Sequence, residues 1–235
     1  MPIFNISPSC IIGKKIMITD RELIHHLRNV RRIKSKETLM FFSGTKSFET
    51  ILEVNEKGKI ICDIKREFLV KEPSKKIAIV NAIIEKEPME MILRLNIPYN
   101  IRDFYFFKAE RSNLTLKDNN LLRFTKLALS IAEQSESCFV PSILSFSSLS
   151  ETLSSVDGYR LITLDAHSEN SIQQNISDFR SESRIAIIVG PEGGFTENET
   201  SLLDSKGVIR LRLASNIFRS EFAGFVAAAI IRELS

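Results

Sequence analysis

Cysteine is scarce in this 235-residue chain: Cys10, Cys62 and Cys138 are all it carries. They are widely spaced, and no Cys-x-x-Cys or Cys/His ligand spacing occurs, so no structural metal is expected. Scattered thiols, odd in number, fit a reducing compartment better than a disulfide framework. Long apolar runs are missing too, and none is of bilayer-crossing length. The opening MPIFNISPSCIIGKK lacks a basic start, a long apolar run and a small-residue cleavage site, so it does not read as a signal peptide. The expectation is a soluble, cytoplasmic protein with no membrane partner. Charge of one sign is also lacking: 32 Lys and Arg face 29 Asp and Glu, for a net charge of +3. Contact with nucleic acid would need positive charge gathered locally. No dinucleotide fingerprint follows the first strand of the second half, which disfavours a nucleotide-dependent oxidoreductase.

What is present suits a folded core. Hydrophobic residues make up 43% and charged residues 26%, ordinary for a globular domain. Up to about residue 71 the chain is rich in short runs with β character: IGKKIMIT, TLMFFSG, SFETILEV and KIICDIKREFLV. Turn signals such as Ser43-Gly44 and Lys57-Gly58 separate them, and strands this short and closely spaced suggest a small barrel. One helix interrupts them, RELIHHLRNVRRI, with Asp20 as N-cap and Leu23, Leu27 and Val30 at helical spacing. The polar stretch KEPSKK marks a domain boundary, giving domains 1–72 and 73–235. Beyond it strands (IAIVNAII, IRDFYFFKA, RLITLD, RIAIIVG, VIRLRL) alternate with helices (EPMEMILRL, NLLRFTKLALSIAEQSE, SEFAGFVAAAIIREL). That alternation argues for a parallel sheet covered by helices, an α/β domain. SFSSLSETLSS reads as a connection with a short helix, and Phe104 to Phe107 as a buried strand.

Two segments carry chemical information. In IAIIVGPEGGFTENE, Ile185 to Glu199, an apolar strand runs into a glycine-rich loop. Thr196 and Glu199 then form a capping-box pattern that opens a helix. This puts a flexible loop at the C-terminal edge of a strand, where ligands bind in open α/β sheets. A tight turn that simply requires glycine fits the residues equally well. No Gly-Lys-Ser/Thr follows, so it is not a phosphate-binding P-loop. In LRLASNIFRSEFAGFVAAAI, Leu211 to Ile230, a strand leads to a helix with Ser220 as N-cap. Glu221 suits the positive end of the helix dipole, but Arg219 does not. Arg219 therefore answers to a carboxylate, a ligand or a phosphate; a plain surface salt bridge is the alternative. Arg21, Arg28, Arg31, Arg32, Lys34 and Lys36 form a basic stretch, either a phosphate-tracking stripe or a solvated face. His25, His26 and His167 read first as packing or surface residues, with His167 nearest the glycine-rich loop.

Taken in order, these segments resemble the RsmE family of 16S rRNA uracil-N3 methyltransferases, of the SPOUT superfamily. GPEGGFTENE and LASNIFRSEFAGFVAAA resemble its glycine-rich loop and the arginine segment that leads into an alanine-rich helix. HHLRNVRRIKSKE is similar to its N-terminal HHL signature, and Glu110-Arg111-Ser112 to an upstream ERS element. SIAEQSESCFVPSI and LITLDAHSENSI match two further stretches, so the resemblance covers nearly the whole chain. Departures are Ala214 where the family has glycine, Asn216 where it has arginine, and Phe218 where it has leucine. MILRLNIPYN also differs from the family's usual helix end.

The resemblance implies a fold: a small N-terminal PUA-like β-barrel domain that binds RNA, then a C-terminal SPOUT-type trefoil-knotted α/β domain. It implies S-adenosyl-L-methionine as methyl donor, 16S rRNA or the small ribosomal subunit as partner, and a homodimer. By match, Leu164, then Val189, Gly190, Pro191, Glu192, Gly193 and Gly194, then Leu211, Leu213, Ala214, Asn216, Ile217 and Phe218 would hold the cofactor. Arg219 would stabilise charge on the uracil, with Glu221 orienting it or taking the proton. His26, Arg28, Arg31, Arg32, Lys34 and Arg111 would contact RNA. Two other readings stay open: a SPOUT methyltransferase for another rRNA position or a ribose 2′-hydroxyl, and a non-catalytic RNA-binding protein on the same fold.

Overall fold

The computed structural model describes residues 3–56 and 58–234; the turn expected at Lys57-Gly58 includes Lys57, which lies outside them. The chain forms two compact units. One comprises residues 1–72 together with 132–140, and the other residues 73–131 and 141–235. The break after Glu72 falls inside the KEPSKK stretch, but residues 132–140, which the sequence places in the second domain, group with the first unit.

The first unit is built on β1 (Ile3–Asn5), β2 (Ile11–Ile12), β3 (Lys15–Ile18), α1 (Arg21–His25), β4 (Thr38–Ser43), β5 (Lys46–Glu56) and β6 (Lys59–Leu69). The six strands form one sheet in the order β1-β4-β5-β6-β3-β2. All neighbours run antiparallel except β1, which lies parallel to β4. Register shifts at Glu49/Thr50 and Leu52/Val54 bend β5 against β6, as bulges do. Ile16, Ile18, Leu39, Phe41, Phe48, Leu52 and Ile60 fill its core.

The single helix expected over 21–33 is a correction. Asp20 does cap α1, accepting the Leu23 N–H at 2.8 Å, but after His25 the coil widens into a π-turn over His26–Val30. Arg31 N–H reaches back to His26 O, five residues away. The wider turn rotates the apolar stripe, so Ile24 and Leu27 are buried while Val30 is exposed. Arg32 then takes a positive φ of 51° and ends the coil.

The second unit comprises β7 (Lys76–Ala82), α2 (Lys86–Asn96), β8 (Asp103–Phe107), α3 (Asp118–Gln134, its last residues in the first unit), β9 (Ser142–Phe146), α4 (Leu149–Ser155), β10 (Arg160–Leu164), β11 (Arg184–Val189), α5 (Glu197–Ser205), β12 (Ile209–Leu211) and α6 (Ser220–Leu234). Its six strands are all parallel, in the order β12-β10-β11-β7-β8-β9. The chain builds outward from β7 to β9, crosses to β10, and then inserts β11 between β10 and β7. Side chains alternate across the sheet. Ala78, Val80, Ala82, Ala186 and Ile188 share a core with Leu149 and Leu153 of α4 and Leu203 of α5. The opposite face receives α6, where Gly224 comes so close that an added Cβ would lie 3.4 Å from Ile79 and Val189. Among the described residues no helix is long and apolar enough to cross a membrane.

Candidate active site

The C-terminal ends of β10, β11 and β12 lie side by side, and a loop leaves each. The first follows Leu164. Asp165 N–H donates to Leu211 O at 3.0 Å, and the Ser168 hydroxyl donates to Arg210 O at 3.0 Å, so this loop is fastened to β12. Asp165 Oδ1 accepts the His167 N–H at 2.9 Å. Within the sheet, the buried Thr163 hydroxyl donates to Ile188 O at 3.1 Å and ties β10 to β11.

The second loop is Gly190 to Phe195. Phe195 folds back over Gly190 so closely that a Cβ there would meet its ring at 3.0 Å. Only glycine leaves that space. The Phe195 ring also stacks on Phe107, with ring centroids 6.4 Å apart and planes 8° from parallel. A turn closes from Gly194 N–H to Pro191 O at 2.9 Å, and Gly194 holds φ at +70°. The expected capping box follows: Thr196 Oγ1 accepts the Glu199 N–H while Glu199 accepts the Thr196 N–H.

The third loop runs from Arg212 to Arg219 and ends in α6. Ala214, in the family's glycine position, keeps a negative φ, since it is not among the residues with φ above zero; the extra methyl is carried without backbone strain. Ser220 is a correction. It is the first residue of α6 rather than its cap, because the first helical bonds close on Arg219 O. The Ser220 hydroxyl instead donates to Gly190 O at 3.2 Å and accepts from Asn81 Nδ2 at 3.2 Å. The start of α6 is thereby linked to the second loop.

Between the loops lies a cavity of about 550 Å³, within the range of small-molecule sites. Of the residues singled out from the sequence, Leu164, Val189, Gly190, Pro191, Glu192, Gly194, Leu213, Ala214, Asn216, Ile217, Phe218 and Arg219 line it. Gly193, Leu211 and Glu221 do not. Gly193 O accepts from Arg111 Nη1 at 2.9 Å. Leu211 is fully buried. Glu221, 5% exposed, lies behind Arg219 and holds its Nε at 3.0 Å, while the Arg219 side chain is about two-thirds exposed. Asp165, Ala166, His167, Phe195, Thr200, Leu203, Arg210 and Ala223 also line the cavity and were missed or only skirted. Thr200 and Leu203 sit four and seven residues after Thr196, a helical spacing that could have revealed them. Arg210 is taken up by Asp204, with both carboxylate oxygens at 2.5 Å.

In the first unit, His26, Arg31, Arg32 and Lys34 are exposed and Arg28 is half-exposed. Among the described residues, none of these four cationic side chains forms an ion pair, whereas Lys15, Lys46 and Arg66 on neighbouring strands do. The His26 ring stands edge-on to Phe4.

With this geometry in place, the comparisons with known proteins fall into one pattern. A family model described as an RNA methyltransferase domain matches residues 71–232. The chain belongs to this RNA methyltransferase family, and within it to the RsmE family that its motifs resemble. It is 29% identical to the ribosomal RNA small subunit methyltransferase E of Rickettsia conorii, over 94% of this chain and 91% of that protein. It is 25% identical to ribosomal RNA small subunit methyltransferase E 2 of Borreliella burgdorferi, over 96% and 94%. The fold is also that of the Neisseria gonorrhoeae ribosomal RNA small subunit methyltransferase E, a structure bound to S-adenosyl methionine. That structure has a TM-score of 0.86 at 24% identity and covers 98% of this chain and 96% of its own.

Proposed function

We propose that this protein transfers a methyl group from S-adenosyl-L-methionine to N3 of one uridine in 16S ribosomal RNA, with the assembled small subunit in the cytoplasm as substrate. The observation that carries the reading is the three-loop cavity with an exposed Arg219 at its wall, in a chain whose relatives are small-subunit methyltransferases. The cavity suits the cofactor. Its volume is adequate, and the glycine, proline, alanine and aliphatic residues among its walls would leave main-chain groups accessible to adenine and ribose. Gly190 to Gly194 and Leu213 to Phe218 would hold it, with Leu164 beneath. Bound there, S-adenosylmethionine would supply a methyl group already activated on a sulfonium.

What remains for the protein is alignment and charge. Uracil N3 must lose its proton as its bond to the methyl forms, and negative charge develops on the two flanking oxygens. Arg219 stabilises that charge. Glu221 faces Arg219 and not the cavity, so we assign it to positioning the guanidinium, with the proton leaving to solvent. The base must be unstacked to reach the site. His26, Arg28, Arg31, Arg32 and Lys34 would track phosphates; that the four Arg and Lys side chains form no ion pair among the described residues supports this. We read the first unit as the PUA-like barrel, and the second as the trefoil-knotted SPOUT domain. A homodimer would cover Met91 and Phe222, each 38% exposed, on the adjoining helices α2 and α6.

The test is incubation with S-adenosylmethionine and unmethylated small subunits, followed by nucleoside mass spectrometry. New 3-methyluridine at one site is expected. Methylation on a ribose 2′-hydroxyl, or none despite cofactor binding, would sink the proposal.

A further inference from the structure

The glycine-rich loop is gripped by a segment eighty residues upstream. After β8 the chain makes a turn at Ala109–Ser112, closed by Ser112 N–H to Ala109 O at 3.1 Å. The turn is itself fixed. Ala109 is fully buried, and the Ser112 hydroxyl donates to Ile83 O at 3.2 Å. From this base three bonds reach the loop and the helix it opens. Glu110 N–H donates to Glu199 Oε1 at 3.0 Å. The Thr196 hydroxyl donates to Glu110 Oε2 at 2.7 Å. Arg111 Nη1 donates to Gly193 O at 2.9 Å, its aliphatic stem lying 3.8 Å from where a Gly193 Cβ would be. The pattern has a direction: Gly190, Pro191, Glu192, Gly194 and Phe195 all line the cavity, and Gly193 is the loop residue turned to Arg111 instead.

We propose that Glu110 and Arg111 form a clasp that sets the shape of the second loop, and that Arg111 is a positioning residue for the methyl-donor pocket rather than an RNA contact. The bonds at both ends of the clasp involve charged partners, which makes them stronger than neutral ones. A peptide-lined pocket depends on such outside support, because its binding groups are main-chain atoms with no side chain to steer them. The inference rests on the cofactor reading above, so its test has one arm free of it.

In the free protein, hydrogen exchange at the Gly194 N–H, which closes the loop turn, should be faster in Arg111→Ala than in wild type and restored in part by Arg111→Lys. S-adenosylmethionine titrated calorimetrically should bind Arg111→Ala about tenfold more weakly, the scale of one charge-assisted hydrogen bond. The rate at saturating cofactor and the affinity for small-subunit RNA should both stay within about twofold of wild type. Unchanged exchange and unchanged cofactor affinity would overturn the clasp, as would a loss confined to RNA affinity. If wild type itself bound no S-adenosylmethionine while exchange still responded to Arg111, the cofactor reading would fail and the clasp would stand.

Discussion

Gly190→Ala isolates the packing on which the second loop depends. Gly190 has no positive φ, so its backbone accepts alanine and the whole cost is steric. The new methyl would lie 3.0, 3.1 and 3.3 Å from three atoms of the Phe195 ring. Retreat toward Phe107 is limited, since that ring is stacked on Phe195 and is fully buried, and movement the other way would enter the cavity. Overpacking of this kind costs about 1–3 kcal/mol, or a fall in melting temperature of roughly 2–12 °C for a domain of this size. Because Phe195 and Gly190 both line the cavity, cofactor affinity should fall with it. The decisive assay is a double-mutant cycle with Phe195→Leu, read by thermal melting and by S-adenosylmethionine calorimetry. Each single change should destabilise, and Gly190→Ala/Phe195→Leu should lose less than their sum, because the smaller side chain makes room for the methyl. Strict additivity would show that Gly190 is needed for something other than the ring.

Three further outcomes are expected. Arg219→Ala should lower the catalytic rate about 10²–10³-fold while shifting cofactor affinity little; equal losses in both, measured by single turnover and calorimetry, would make Arg219 a binding residue. Charge removal from Arg28, Arg31 and Arg32 together should flatten the salt dependence of RNA affinity, reducing the log–log slope by roughly 2–3, and an unchanged slope would return these residues to a merely solvated face. Burial pushes the Glu133 carboxyl above its ordinary range, against the opposing pulls of the Asn5 N–H and His26. The native state then holds a proton that the unfolded chain has released, so this contribution is complete below the usual carboxylate value and is lost as pH rises through the raised one. As pH rises from about 4, the ordinary carboxylate value, wild type should lose melting temperature relative to Glu133→Gln until the raised value is passed; parallel curves would remove the effect.

How much could be read from residues alone depended on the range of the interaction. The capping box of Thr196 and Glu199 lies within four residues and was legible, as were the buried strands Phe104 to Phe107 and Ile185 to Val189, whose apolar runs are their own signal. β1 was not, because three residues acquire strand geometry only by pairing parallel with β4, far along the chain. The π-turn at His26–Val30 escaped because the spacing of Leu23, Leu27 and Val30 satisfies an ordinary helix equally well. At the site, the glycine-rich loop was visible as a choice between turn and ligand loop. Its ties to Phe107, Ser220 and Arg111 were not, since each joins residues far apart in the chain. The role of Gly190 shows the difference. Its glycine was evident, but the ring that demands it is Phe195, which stacks on Phe107 of β8, two strands away in the sheet.

The cavity's selectivity follows from which polar groups are already engaged. The Thr163 hydroxyl is held by Ile188 O, Asp165 by the His167 N–H, and Ser220 by Gly190 O. Of the two arginines on the wall, Arg210 is locked onto Asp204. A guest therefore meets apolar surface together with the carboxylate of Glu192 and the amide of Asn216, a wall that discriminates by shape and hydrogen bonding. A polyanionic nucleotide would find little to neutralise it. Arg219 differs from Arg210 in exposure: its carboxylate partner is buried behind it, and most of its side chain faces outward. The buried Glu221 gains a counter-charge from the pair, as a buried carboxylate requires, while Arg219 keeps most of its hydration. Glu221, in the first turn of α6, is favoured there by the helix dipole whether or not Arg219 is present. The pair thus leaves a cation held facing outward by a buried carboxylate. Under the proposed reading that arrangement would separate the two tasks of the site: the loops would fix the donor, and Arg219 would meet the charge that arises on the acceptor.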